Sequence, residues 1–146
     1  YTFTPFALPE GTYRVWFRTD NTDPGALRKG AGVSLDQKIT NSIGLFGRYG
    51  TQEIEGINFG DGDKYYSAGV GFQNGLIFFP QDSWGIGWAH LDLASGEKEH
   101  LAEGYYNFQL TDRLHLSFNL TYVLDEPETG GKFGYVLPGV RFQASF

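Results

Sequence analysis

The stretch that decides the fold is residues 114–123, with the sequence LHLSFNLTYV. Every second residue in it is apolar, and the residues between are mostly small or polar. A period of two is that of a β-strand, whose successive side chains point to opposite faces of a sheet. The apolar set is Leu114, Leu116, Phe118, Leu120 and Tyr122, and the other set is His115, Ser117, Asn119, Thr121 and Val123. The stretch therefore predicts a strand with one apolar face and one largely polar face.

The same alternation recurs along most of the chain. It is clear in 65–73, 102–111 and 136–146, and less regular in 12–19, 31–40, 43–51 and 84–92. Within 31–40, Gln37 interrupts the apolar set. The content of 21 Gly, 13 Phe and 9 Tyr is also typical of a β-sheet protein. We predict an all-β fold of about eight strands with antiparallel neighbours.

The connections between these strands are predicted to differ in length. Residues 40–42 and 111–113 read as tight turns, and 74–82 as a medium-length apolar connection. Long polar loops are predicted at 20–30, 52–64, 94–100 and 125–134, and they hold most of the acidic residues. Short turns on one rim and long loops on the other are typical of bacterial outer-membrane β-barrels. We therefore expect the acidic loops to be extracellular, and the short turns and the C-terminus to be periplasmic.

The chemistry of the two faces favours a transmembrane β-barrel over a soluble one. Bulky rings on the apolar face lie near the strand ends, as in an interfacial aromatic girdle. The opposite face is rich in Gly, Ser, Thr, Asn and Gln, whereas soluble surfaces usually carry Lys and Glu. The rings are Tyr13, Tyr49, Tyr66, Trp84, Tyr106, Tyr122 and Phe146. A soluble ligand-binding β-barrel remains the alternative class.

The beginning of the chain predicts that the barrel has further strands. Residues 1–4 already alternate before the turn-like segment 5–11, so that 1–11 reads as the tail of a preceding strand and a turn. The sequence also contains no Met. We expect residues 1–146 to be the C-terminal part of a single outer-membrane β-barrel domain. A complete small eight-stranded barrel with an adhesion, anchoring or lipid-modifying role is the alternative.

Composition and spacing argue against several other classes. Without Cys, the chain has neither disulfides nor thiolate metal sites. The net charge of -6 disfavours nucleic acid as a partner, since phosphate binding needs clustered Lys and Arg. His90, His100 and His115 have no ligand-like spacing, and no catalytic motif stands in a credible context. We expect no enzyme activity, no metal and no cofactor.

Five stretches carry a family resemblance. They are YRVWFRTDN at 13–21, GVSLDQKITNSIGLFGRYG at 32–50, QDSWGIGWAHL at 81–91, EGYYNFQLTDRLHLSFNLTYVLDEP at 103–127 and VLPGVRFQASF at 136–146. Together they resemble the C-terminal half of the carbohydrate-selective porin family, the OprB-like porins. The Asp82-x-x-Gly85-Ile86-Gly87 pattern and the Thr111-Asp112 turn are among the features typical of that family.

The resemblance implies a sixteen-stranded barrel in the bacterial outer membrane, a passive diffusion channel for sugars or other small hydrophilic solutes. It further implies a constriction lined by Arg and acidic side chains. Phe146, at the C-terminus, resembles the terminal aromatic signal by which the barrel-assembly machinery recognises its substrates. Membrane lipid and lipopolysaccharide are the other expected partners.

Ten residues on the less apolar face are our candidates for lining the pore. Planar guanidinium groups and carboxylates can hydrogen-bond to sugar hydroxyls, and aromatic rings can stack on sugar faces. Alternatively, these charges only neutralise one another across a hydrated wall. The candidates are Arg14, Trp16, Arg18, Asp36, Lys38, Phe46, Arg48, Glu103, Tyr105 and Arg141.

Overall fold

The computed structural model describes residues 2–3, 9–23, 26–54, 62–73 and 79–145. These residues form one sheet, in which each strand pairs antiparallel with the next strand along the chain. The strands are β1 Thr2–Phe3, β2 Gly11–Asp23, β3 Ala26–Lys38, β4 Ile43–Ile54, β5 Asp63–Gln73, β6 Ser83–Asp92, β7 Lys98–Thr111, β8 Leu114–Glu126 and β9 Phe133–Ala144. The predicted all-β class and the eight long antiparallel strands are confirmed. Among the described residues no pairing joins β9 to β1 or β2, so the sheet is not closed.

The strands run further than the alternation predicted. β2 and β3 occupy most of the expected loop 20–30 and leave only residues 24 and 25 between them. In that hairpin Asp20 lies opposite Arg28, and Arg18 forms an ion pair with Asp20 at 2.9 Å. Polar side chains lack the apolar alternation that marks a strand in sequence, but their backbones extend the ladder equally well. For this reason the predicted loop boundaries at 20–30 were wrong.

The predicted difference in loop length between the two rims is also wrong. One rim, which we call the basal rim, has the connections 39–42, 74–82 and 112–113. The opposite rim, the acidic rim, has the connections 24–25, 55–62, 93–97 and 127–132. Both rims therefore combine short and long connections. The expected loops at 52–64, 94–100 and 125–134 are shortened because β4, β5, β7, β8 and β9 extend into them.

Hydroxyl side chains hold the two tight turns of the basal rim. Thr40 Oγ1 accepts hydrogen bonds from the backbone N–H groups of Ser42 at 3.1 Å and Ile43 at 3.0 Å. Thr111 Oγ1 accepts one from the N–H of Arg113 at 3.2 Å. A threonine that bonds to the backbone two or three residues on is a common turn device. The tight turns predicted at 40–42 and 111–113 are thus confirmed.

A buried carboxylate anchors the end of the connection before β6. Asp82 is almost completely buried, and its carboxylate accepts hydrogen bonds from the Tyr106 hydroxyl at 2.8 Å and from the Gln109 N–H at 3.0 Å. Both partners belong to β7, so Asp82 fixes the start of β6 against the neighbouring strand. A buried charge needs such partners to offset its loss of hydration.

The sheet is a single layer without a packed core. Val123, which is 2% exposed, is the only hydrophobic residue among those described that is buried. Most large apolar side chains keep a substantial exposed fraction, and Phe17 reaches 82%. A soluble β-domain buries one face of its sheet against a second layer. The described residues supply no such layer.

Candidate functional site

The strand register divides the side chains into two faces. Cross-strand partners in an antiparallel ladder project to the same side of the sheet. Trp16 lies opposite Gly32, Gly32 opposite Gly50, and Gly50 opposite Tyr65. We call the side that carries Trp16 the polar face and the other side, which carries Phe17, the apolar face.

All ten candidate residues lie on the polar face. On β2 to β4 these are Arg14, Trp16, Arg18, Asp36, Lys38, Phe46 and Arg48, and on β7 and β9 they are Glu103, Tyr105 and Arg141. The structure does not gather them into one cluster. Instead it divides nine of them among three neighbourhoods, while Lys38 lies exposed at the basal-rim end of β3, apart from these.

The first neighbourhood is an ion-paired cluster on β2 to β4. The Asp36 carboxylate lies 2.7 Å from Arg48 and 3.4 Å from Arg14. Arg48 also donates hydrogen bonds to the carbonyl oxygens of Leu35 at 2.9 Å and Gly47 at 3.1 Å, and its guanidinium lies 5.1 Å from the centre of the Phe46 ring. One carboxylate shared by two guanidinium groups leaves a local excess of positive charge. Arg48 is held in place, whereas Arg14 is more exposed and makes only the longer contact.

The second neighbourhood surrounds Trp16. One hollow of ≈ 500 Å³ borders this ring, the Tyr65 ring and the side chains of Arg48, Gln52 and Asp63. An adjoining hollow of ≈ 370 Å³ extends towards the acidic rim, and its lining includes Trp16, Arg18, Asp20, Arg28 and Gln52. Two rings beside amide, carboxylate and guanidinium groups can contact both the apolar and the hydroxyl-bearing sides of a sugar.

The third neighbourhood brings Glu103, Tyr105 and Arg141 together around a hollow of ≈ 510 Å³. Its other walls are hydroxyl, amide and imidazole side chains: Ser83, Asn107, His115, Ser117, Asn119 and Gln143. Glu103 accepts hydrogen bonds from Thr121 Oγ1 at 2.8 Å and Asn119 Nδ2 at 3.5 Å. Ser117 Oγ donates to Asn107 at 2.8 Å. Arg141, by contrast, is exposed and makes no hydrogen bond or ion pair with the described residues, so its donors are available.

Sequence reasoning missed the polar residues that complete these hollows. Tyr65, Gln52 and Asp63 border the Trp16 hollow, and Asn107 and Asn119 border the hollow of Arg141. The alternation already assigned Tyr65, Asn107 and Asn119 to the less apolar side of their strands. Only the register between strands shows which of them adjoin a candidate residue, and this register is not readable from one strand at a time.

Charge is distributed unevenly across the polar face. On β2 to β4 the described cations outnumber the anions, because Arg14, Arg18, Arg28, Lys38 and Arg48 stand against Asp20 and Asp36. On β5 to β9 the anions are in excess, because Asp63, Glu99, Glu103 and Asp125 stand against Arg141. The polar face thus has a basic side and an acidic side.

The apolar face is continuous and carries two bands of rings. Near the acidic rim, Tyr49 contacts Tyr66 with ring centres 5.1 Å apart, and His90 contacts His100 at 4.3 Å. Near the basal rim, Phe72 stacks on Trp84 at 4.1 Å. Further rings of this second band are Tyr106, Phe108 and Phe118. Between the bands lie Leu45, Val70, Ile86, Gly104 and Leu120, which are cross-strand neighbours in one row.

Charged residues of the apolar face occur only at its acidic-rim end within the described residues. They are Lys29, Glu53, Lys64, Asp92, Lys98 and Glu126. Lys132 donates a hydrogen bond to Glu126 at 2.6 Å. Among the described residues of this face, no charged side chain lies between this row and the basal rim.

The polar residue Gln37 stands on the apolar face, but its amide is satisfied. Its oxygen accepts a hydrogen bond from the Tyr13 hydroxyl, and its nitrogen donates to the carbonyl oxygens of Pro9 at 2.8 Å and Lys38 at 2.7 Å. Gln37 is buried as a result. The interruption seen in the sequence therefore presents no free amide group to the apolar surface.

Comparison of the chain with protein-family models, with curated protein sequences and with solved structures found no match. The described part of the chain contains no helix long and apolar enough to cross a membrane. It also contains no group of three or more His, Cys, Asp or Glu side chains arranged to hold a metal ion. Phe146 lies outside the described residues.

Proposed function

We propose that this chain forms part of the wall of an outer-membrane β-barrel channel. Its apolar face contacts lipid and its polar face lines a water-filled pore. Through that pore small hydrophilic solutes, chiefly carbohydrates, diffuse passively. The observation that carries the proposal is the uncovered apolar face, whose charged residues, within the described part of the chain, lie only at one end of the strands.

The dimensions of the apolar face agree with those of a bilayer. The eight long strands have 10 to 14 residues, and a tilted membrane strand needs about 9–11. On β5 the ring of Tyr66 in one aromatic band lies six residues from that of Phe72 in the other, or about 20 Å along the strand. Membrane barrels carry aromatic girdles at the two edges of an apolar band about 25 Å tall.

The polar face supports a pore rather than a sealed interior. In a barrel of eight strands, side chains fill the inside. Here the polar face is rich in glycine, and three hollows lie against it. A wider barrel, of about sixteen strands as in carbohydrate-selective porins, leaves such a face in contact with water. Additional strands beyond β1 and β9 are then required to close the wall.

The side chains of the hollows favour sugars among hydrophilic solutes. Carboxylate, amide, hydroxyl and guanidinium groups supply donors and acceptors for hydroxyl groups, and Trp16 and Tyr105 supply apolar ring faces. Both signs of charge are present, so neither anions nor cations are excluded. Weak contacts of this kind permit entry as well as release, which conduction needs.

Reconstitution into liposomes and planar bilayers tests this function. We expect stepwise increases in KCl conductance, and liposome swelling in isosmotic arabinose or glucose that slows as the sugar becomes larger. Heat-dependent mobility on gels monitors insertion and folding independently. A protein that inserts and folds but gives neither conductance nor swelling would contradict the channel, and would indicate a sealed barrel instead.

A further inference from the structure

Glycines on neighbouring strands lie beneath the Trp16 ring. A methyl group added at Gly32 would lie 2.5 Å from this ring, one at Gly50 3.2 Å, and one at Gly30 3.4 Å. The distances at Gly32 and Gly50 are shorter than ordinary van der Waals contacts, and the distance at Gly30 is at their lower limit. The Trp16 indole therefore extends from β2 across β3 to β4, over positions where glycine has no side chain to obstruct it.

A second set of glycines on neighbouring strands, beneath the Tyr105 and Phe46 rings, lies on β5 and β6. Gly69 pairs with Gly87, and Gly71 pairs with Gly85. A methyl group at Gly85 would lie 2.7 Å from the Tyr105 ring, and one at Gly71 would lie 3.5 Å from its hydroxyl oxygen. On the same face, the Phe46 ring of β4 covers the other pair, Gly69 and Gly87.

A purely structural role accounts for part of this arrangement, since aromatic rings often cover strand glycines. Phe46 fits that role, because the Arg48 guanidinium lies over its ring. Trp16 and Tyr105 differ, because they remain 42% and 40% exposed. Each also borders a hollow whose other walls carry hydrogen-bonding groups.

We propose that Trp16 and Tyr105 are the stacking platforms of two separate sugar subsites, specific for the pyranose ring. This inference rests on the proposed channel function. At the first subsite Arg48, Gln52 and Asp63 bind hydroxyl groups of the sugar. At the second, Glu103, Asn119 and Arg141 do so.

The chemistry of a pyranose matches such a site. Its ring has an apolar face of C–H groups, which packs on an aromatic ring, and a periphery of hydroxyl groups that donate and accept hydrogen bonds. A ring already seated on glycines loses little conformational freedom when the sugar binds, and this favours affinity. The cross-strand neighbours of Trp16 continue through successive strands to Glu99 on β7. Glu99 precedes Tyr105 by six residues, so the two subsites are about 20 Å apart in the strand direction.

Block of the ion current by glucose measures the affinity of these subsites in planar bilayers. The open-chain alcohol sorbitol, which carries hydroxyl groups but no pyranose face, is the matched solute. We expect glucose to block at a lower concentration than sorbitol. In Trp16→Ala and in Tyr105→Ala the half-blocking concentration of glucose is expected to rise roughly 2- to 10-fold, while that of sorbitol stays the same.

A glycine substitution tests the role of the glycines beneath the Trp16 ring. In Gly50→Ala the new methyl meets the Trp16 ring at 3.2 Å but the backbone only at 3.9 Å, so the ring shifts and the fold is retained. Gly44→Ala is the control on the same face, because its methyl meets nothing closer than 3.9 Å. We expect weaker glucose block in Gly50→Ala and unchanged block in Gly44→Ala. Trp16→Phe, which keeps a ring, should retain most of the block.

The outcomes separate this inference from the channel function. Normal conductance with glucose block that is unaffected by Trp16→Ala and Tyr105→Ala would overturn the two subsites and leave the channel standing. Equal block by sorbitol and glucose would do the same. If the unmodified protein shows no conductance, the proposed channel function, on which the inference rests, is overturned instead.

Discussion

At the scale of single residues, Gln37 illustrates how a polar group is tolerated on a surface that we assign to lipid. Its amide makes three hydrogen bonds and leaves no unpaired group directed outwards. The sequence indicated an interruption of the apolar set and nothing more. Two of the partners, Pro9 and Tyr13, precede Gln37 by 28 and 24 positions, so only the folded hairpin brings them together.

Replacement of Gln37 by Leu is expected to destabilise the fold although it makes the face more apolar. The Pro9 and Lys38 carbonyls then lose their donor, and an unsatisfied buried polar group costs about 1–3 kcal/mol. Unfolding in urea, with heat-dependent gel mobility in detergent as the readout of folded protein, measures the change in the free energy of unfolding. Tyr13→Phe is the control, since it leaves the Gln37 amide nitrogen bonded to both carbonyl oxygens and should cost about 1 kcal/mol. Equal or greater stability of Gln37→Leu would contradict the role of the amide.

At the scale of strands, alternation located every long element but not its ends. The apolar set stops where the strands reach the charged row of Lys64, Asp92, Lys98 and Glu126, whereas the backbone ladder continues through it. Alternation therefore marks the apolar part of a strand rather than its hydrogen-bonded length. Extents beyond that part depend on the pairing partner, which a single sequence does not show.

The charges on β3, β7 and β9 of the polar face are expected to control ion selectivity. In Asp36→Asn the positive charges of Arg14 and Arg48 lose their counter-charge, so the channel becomes more selective for anions. Glu103→Gln should change selectivity in the same direction, and Arg141→Gln towards cations. The reversal potential across a KCl gradient measures these changes, which are largest at low salt because ions screen over about 10 Å at 0.1 M.

Asp92→Asn is the control for this selectivity prediction. Like Asp36→Asn, it removes one negative charge, but Asp92 lies on the apolar face, at the acidic rim. We expect its reversal potential to match that of the unmodified protein. A change as large as that of Asp36→Asn would show that a charge on the apolar face alters selectivity equally, and would contradict the assignment of the polar face to the pore.

At the scale of the whole molecule, the sequence predicted much more of the face than of the sites on it. The period of two correctly grouped all ten candidate residues on one side of the sheet. It did not reveal that Glu103 and Arg141 border the same hollow, or that Trp16 adjoins Tyr65 through two glycines. Those neighbours depend on register across several strands, and each register is fixed by packing and turn geometry.

The stretch at 114–123 provides the most direct measurement of the central claim, that one face meets lipid and the other a pore. The chain has no Cys, so single cysteines at Ser117, Phe118, Asn119 and Leu120 can be labelled without background. In liposomes, a membrane-impermeant maleimide should modify the cysteines at 117 and 119 rapidly and those at 118 and 120 slowly. Detergent-denatured protein, in which all four should react, is the control. Rapid labelling at 118 and 120, or equal rates at all four positions in the folded state, would contradict the account.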